Sequence, residues 1–220
     1  FLAALHDEDL FLSGDFVDYF SIDDGHFGFY MADVSGHGVS SAVITVLLKC
    51  YVTRYLENYR HYEDPTICQP AALLAALNQE ILAGDHGKYL TMFYGVVDLD
   101  EGRLDFANGG QFPFPLLYDG EEVREIGGRS PAVGLFDAAR YARQSLPLDA
   151  NCALRLFSDG VLELLPEDAL EQKRAALRRL SADTGRGAEG LAEALGLIGR
   201  PDLPDDVSVL SLRRIDGQAR

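Results

Sequence analysis

The chain has 220 residues, 47% of them hydrophobic and 25% charged, with a formal net charge of −16. Such a composition supports a buried core and excludes a disordered chain. Lys and Arg gather only at 173–179, which disfavours nucleic acid or an anionic membrane as a partner, because both require a concentrated positive face.

Apolar and polar residues alternate over 14–21 and 26–33, and "DDG" at 23–25 supplies the turn, so the first readable unit is a β-hairpin. Val43, Val46, Leu47, Cys50, Tyr51 and Leu56 then recur with helical spacing behind a pair of glycines, predicting a helix over 38–60. A second helix is predicted over 69–83, stopped by Gly84. From 89 to 158 the texture becomes short strands separated by turn signals at 100–102, 109–110, 119–120 and 127–128, an antiparallel meander rather than a βαβ series. Helical patterning returns over 162–199 with Leu170, Leu177, Leu180, Leu191 and Leu195, and 206–213 reads as a closing strand. No stretch resembles a linker, so 1–220 reads as one α+β domain: two antiparallel sheets face to face, with helices on their outer faces.

No apolar run approaches the ~18 residues that a membrane-spanning helix needs. Cys50, Cys68 and Cys152 have long, unrelated spacings and form no CxxC, which suggests reduced thiols and a cytoplasmic setting. Cys50 and Cys152 read as small apolar core residues. The sequence begins with Phe1 in mid-pattern, which reads as the C-terminal part of a longer protein.

Most of the 35 acids read as solvated surface. Five groups stand apart because they lie where strands end or turn: Asp15 with Asp18, Asp33, Asp98 with Asp100, Asp159, and Asp205 with Asp206. Carboxylates meeting at one sheet edge would repel unless cations sat between them. The expectation is therefore a carboxylate cradle for divalent metal. Oxygen-only donors without a Cys/His cluster suit Mg²⁺ or Mn²⁺ rather than zinc.

Each group is ambiguous alone. Period two places Asp15 and Asp18 on opposite faces, so one of them at most faces a common site. "DVSGHG" around Asp33 could be a plain strand-to-helix turn. A dinucleotide fingerprint fails there, because Ser41 stands in place of the last glycine and no parallel strand follows. Asp159-Gly160 is by itself an ordinary turn. Asp205 and Asp206, adjacent on a strand, would point to opposite faces, and the residues leave open which is inward.

In order, Gly14-Asp15-x-x-Asp18, Asp33 to Gly38, Ser158 to Glu163 and Asp205 to Ser208 match GD-x-x-D, D-V-S-G-[HK]-G, S-D-G-x-x-E and D-D-[IV]-[ST]. With this run of motifs the chain resembles the SpoIIE/RsbU-like branch of the protein phosphatase 2C (PPM) superfamily over essentially its whole length. The segment from Thr91 to Tyr118 and "GRSPAVGLF" at 128–136 resemble that family as well.

The resemblance implies an α-β-β-α sandwich and a Mn²⁺- or Mg²⁺-dependent serine/threonine protein phosphatase. Asp33 would bridge two ions, Asp159 and Asp205 would complete one site, and Asp15 with the Val34 carbonyl the other. Two cations ~3.5–4 Å apart can ready a water for in-line attack at phosphorus. Asp33 and Asp159 thus carry the catalysis, His37 is the nearest group able to protonate the leaving oxygen, and Glu163 and Asp18 support rather than ligate.

The implied substrate is a phosphorylated anti-sigma factor antagonist in a partner-switching pathway, with an upstream receiver or sensor domain as regulator. A homodimer is compatible with this reading, which involves no nucleic acid and no membrane. Ser13 and Gln111 depart from the family's Gly and His at those positions, and the family's first strand is truncated or missing at Phe1. Two alternatives stay open: a phosphatase-like partner-binding module with weak catalysis, and a hydrolase of small phosphate esters.

Overall fold

The computed structural model describes residues 3–4, 14–36, 38–183, 187–198 and 206–214. The predicted hairpin is present as β2 (Asp15–Ser21) and β3 (His26–Val34), following a short β1 (Ala3–Ala4). Helices α1 (Val39–Tyr62) and α2 (Pro70–Ala83) come next, joined through a 3-10 turn at Pro65–Cys68. Then follow β4 (Leu90–Asp98), β5 (Arg103–Gly109), β6 (Leu116–Tyr118), β7 (Val123–Glu125), β8 (Gln144–Pro147) and β9 (Ala153–Phe157). The described chain closes with α3 (Val161–Leu164), α4 (Leu170–Ser181), α5 (Ala188–Ala194) and β10 (Val209–Arg213).

Among the described residues, ten strands form two five-stranded sheets, in the orders β2-β3-β4-β5-β8 and β1-β10-β9-β6-β7. Every strand pairing is antiparallel, as the α+β reading expected. The strands of 89–158 do not, however, form one meander. Consecutive β5 and β6 belong to different sheets, β5 pairing with β8 and β6 with β9. Alternation reveals which face a residue takes but not which strand lies beside it. Strand β1, two residues long, pairs with β10, Ala3 opposite Ser211; the first strand was expected to be truncated or missing. Strand β10 starts at Val209, three residues later than expected.

The chain divides into two compact units, residues 11–111 with 127–147, and residues 1–10 with 112–126 and 148–220. In the first, alternate residues of the sheet (Tyr30, Ala32 and Val34; Met92, Tyr94 and Val96) share a core with α1 and α2. Helix α1 contributes Ile44, Leu48, Val52 and Leu56, and α2 contributes Leu73, Leu74, Leu77 and Ile81. Each such side chain, fully buried, favours folding by roughly 1.5–3 kcal/mol. The Tyr94 hydroxyl donates to Ile67 O at 2.6 Å, tying the 3-10 turn to the sheet. On the sheet face opposite these residues, the Phe29, Phe93 and Phe106 rings follow one another at 6.1 and 5.2 Å.

The buried row of α1 differs from the spacing picked out in the sequence: Val43, Val46 and Cys50 are exposed. Cys50 is thus not a core residue, whereas Cys152 is buried. Helix α1 is apolar around much of its circumference, so periodicity alone does not select its inner face. By length and composition it would even suffice to cross a membrane, contrary to the expectation of no such run. Its inner row belongs to the core just described.

In the second unit, Leu116, Phe157 and Val209 share a core with Val161, Leu177, Leu191 and Leu195 from the helices. Arg174 and Arg178 of α4 both reach Glu125 on edge strand β7, the latter at 3.1 Å. The fully buried Arg155 of β9 donates to Asp183 O at 2.9 Å.

Candidate metal site

Asp15 stands directly opposite Asp33 across the β2–β3 pair, and Asp33 lies opposite Thr91 of β4. Val34 N donates to Gly14 O at 3.1 Å, which makes 14/34 a hydrogen-bonded pair and 15/33 the close, non-bonded kind. In such pairs the Cβ atoms approach to roughly 4.5–5.5 Å. Two carboxylates therefore share one face at one rung, and Asp15 is only 4% exposed. Like charges placed so are destabilising by themselves. A cation between them reverses the sign.

Gly14 leaves a second oxygen-bordered space beside Asp33. A Cβ built on Gly14 would lie 2.9 Å from Val34 O, 3.2 Å from Asp33 Oδ1 and 3.5 Å from Gly36 O. Three oxygens thus border a space that any side chain at 14 would fill. An all-oxygen donor set in a small cavity fits a hard divalent ion. Gly36, at φ 77°, turns the chain in the left-handed region and brings its carbonyl round. The wholly buried Ser41 holds that carbonyl from the first turn of α1, donating from Oγ to Gly36 O at 2.9 Å.

The other two motifs meet in the second unit. Ser158 N donates to Ser208 O at 3.0 Å, and Ser208 N donates to Ser158 Oγ at 2.8 Å. Ser158 Oγ also reaches Asp206 O at 3.4 Å. This lacing holds the Asp159 turn beside the segment leading into β10, with Asp159 and Asp206 both exposed. Asp206 precedes the strand rather than lying on it, because β10 begins only at Val209, so strand alternation does not sort it. Glu163 is exposed in α3. Asp205 and His37 lie outside the described residues.

Asp18 and Asp98 serve local structure. Asp18 points to the helix side, where Lys49 of α1 pairs with it at 2.5 Å, so Asp15 and Asp18 do take opposite faces. Asp98 binds Arg103 at 3.0 Å and Glu101 N at 2.9 Å, closing the β4–β5 turn. Gln111 belongs to another turn: its N–H donates to Asn108 Oδ1 at 2.8 Å, and Asn108 Nδ2 donates to Gly128 O at 2.8 Å. Among the described residues, no three His, Cys, Asp or Glu side chains gather to hold a metal. The cradle at Gly14 combines one carboxylate oxygen with two backbone carbonyls. Two residues to which the sequence assigned no part in the site, Ser41 and Lys88, touch its loop. Their only sequence signal was proximity to the Asp33 turn and to the start of β4.

The family model for Stage II sporulation protein E (SpoIIE) matches residues 23–215. The chain belongs to the SpoIIE family. A relative, phosphoserine phosphatase RsbP of Bacillus subtilis, is 27% identical over 157 residues, covering 69% of this chain and 37% of RsbP. The solved SiaA-PP2C domain of Pseudomonas aeruginosa superposes with a TM-score of 0.76 at 25% identity, over 96% of this chain and 85% of that one. A structure of RsbX in complex with magnesium superposes with a TM-score of 0.66 at 15% identity, over 96% and 92% of the two chains. The chain spans between 36% and 60% of the length of the curated relatives it matches. This SpoIIE-family chain thus shares the fold of the PP2C domain of SiaA.

Proposed function

We propose that the protein is a cytoplasmic phosphatase that hydrolyses phosphoserine or phosphothreonine on a regulatory protein, using two Mn²⁺ or Mg²⁺ ions. The observation that carries this reading is the in-register Asp15–Asp33 pair beside the oxygen-lined space at Gly14. The residues proposed as metal ligands are Asp15, Asp33, the Val34 carbonyl, Asp159 and Asp205. When bound, such ions would supply an activated water and neutralise charge developing on the phosphoryl oxygens. The chain's own part is to fix those oxygens. The β2–β3 register sets Asp15 against Asp33, and the Ser158–Ser208 bonds set the Asp159 turn. His37 is proposed as the proton donor to the leaving serine oxygen.

The substrate proposed is a phosphorylated anti-sigma factor antagonist of a partner-switching pathway, with a receiver or sensor domain upstream. The phosphoserine phosphatase name of RsbP supports the chemistry, and its greater length leaves room for a regulatory segment.

The purified protein, assayed on a phosphoserine-bearing protein, should release phosphate only with Mn²⁺ or Mg²⁺, and D159N should abolish release without unfolding the chain. Metal-independent release, or full activity in D159N, overturns the ligand assignment. Faster turnover of p-nitrophenyl phosphate than of any phosphoprotein overturns the protein-substrate reading.

A further inference from the structure

Three bonds from two adjacent residues converge on Ser35, behind the loop that carries Asp33 and Val34. Lys88 Nζ donates to Ser35 O at 2.8 Å and lies 3.4 Å from Ser41 Oγ. Tyr89 O accepts from Ser35 N at 2.9 Å, and Tyr89 N donates to Ser35 Oγ at 3.2 Å. Ser35 N–H and Val34 C=O belong to one planar trans peptide, so fixing the first fixes the second. With its N–H drawn to Tyr89, the peptide turns Val34 O the opposite way, to the Gly14 side where Asp33 Oδ1 also lies. The following peptide is held through Ser35 O by the Lys88 ammonium, a charge-assisted bond about twice as strong as a neutral one. A Cβ on Gly36 would lie 2.7 Å from Lys88 Nζ. The absence of a side chain at 36 therefore leaves room for the ammonium.

We propose that Lys88 is a positioning residue of the metal loop: together with the Tyr89 backbone it holds Ser35 from behind, so that Val34 O and Asp33 face the ion. The inference rests on the metal-dependent reading above and names a residue that reading does not use. Lys88 acts through the backbone and ligates nothing. Groups that orient metal ligands typically change affinity by about 10–100-fold when removed. A nearby positive charge also repels cations. The two effects have opposite signs in a metal titration, so the titration decides between them.

The test is calorimetric Mn²⁺ binding to wild type, K88M and K88R, with thermal melting in metal-free buffer and phosphoserine-protein turnover measured alongside. K88M should weaken Mn²⁺ binding about tenfold or more with little change in melting midpoint, and K88R should restore most of the loss. Equal or tighter binding by K88M overturns the role given to Lys88 and leaves the phosphatase reading standing. Failure of the wild type both to bind Mn²⁺ and to turn over substrate overturns that reading, and this inference with it. Should K88M melt too low to titrate, K88Q, which keeps a donor without the charge, takes its place under the same two outcomes.

Discussion

Asp15 and Asp33 stand in register on paired strands of a five-stranded sheet. Asp159 and Asp206 stand outside regular structure, on segments tied together by Ser158 and Ser208. The first arrangement is imposed by a ladder of backbone bonds and keeps two like charges facing each other. The second depends on a few local bonds and leaves its acids in solvent. Moving the first pair means breaking strand pairing; moving the second means losing local hydrogen bonds such as those between Ser158 and Ser208. Rigidity and charge strain are therefore concentrated in one half of the acid set.

The sharpest way to break this contrast is D33N. It should reduce Mn²⁺-dependent turnover by about three orders of magnitude or more, since several kcal/mol of charge stabilisation are lost. In metal-free buffer the same variant should be as stable as wild type or more stable by up to about 1 kcal/mol, because one of two facing charges is gone. Urea denaturation with and without Mn²⁺ reads both effects, and a marked metal-free loss of stability would show that the pair does not repel.

G14A comes next. Its methyl would sit 2.9 Å from Val34 O and fill the space between the oxygens, so Mn²⁺ affinity should fall about tenfold or more, by analogy with displaced ligand-orienting groups. Calorimetric titration checks it, and unchanged affinity would mean that the space is not where metal sits.

S158A probes the looser half. It strips Ser208 N–H of its acceptor in a buried setting, with an expected cost of about 1–3 kcal/mol and a smaller effect on turnover than D33N. Denaturant midpoints and steady-state rates measure the two, and turnover loss rivalling that of D33N would remove the contrast.

The smallest effect lies far from either acid pair, at the tip of the β2–β3 hairpin. Burial by itself would raise the Asp23 carboxyl, but hydrogen bonds from Tyr59, His26 and Gly25 N outweigh it and hold it at about 2. A carboxyl lowered on folding stabilises the native state above its ordinary range, and that contribution disappears as pH falls from about 4 towards 2. Y59F should cost about 1 kcal/mol near neutrality and flatten the stability profile across that acid window. Melting points measured from pH 5 to pH 2 provide the check; an equally steep fall in Y59F would exclude the Tyr59 bond as its cause.

Much of the frame was legible because it follows short-range periods. Alternation located the 15–34 hairpin, and period two already separated Asp15 from Asp18. The inner face of α1 was not legible, since Val43 and Val46 are as apolar as the buried Ile44 and Leu48. Nor were the partners of β5 and β6, because pairing is decided by surfaces far apart in sequence. In the site, the acids declared themselves by chemistry and position. Lys88 and Ser41 did not, because they act on backbone carbonyls, which look the same at every residue. Asp205 and His37 fall outside the described residues.

Strand β1 pairs with β10, and the unit holding Asp159 draws on three separated stretches of sequence. A nascent chain can build most of the other unit from the continuous stretch 11–111, but this sheet stays open until residues 209–213 have emerged. Contacts that distant in sequence form late and slowly. Half of the acid set therefore acquires its setting only once residues 209–213 have been made, and termination before residue 209 would yield a protein retaining Asp15 and Asp33 without a finished sheet to carry Asp159.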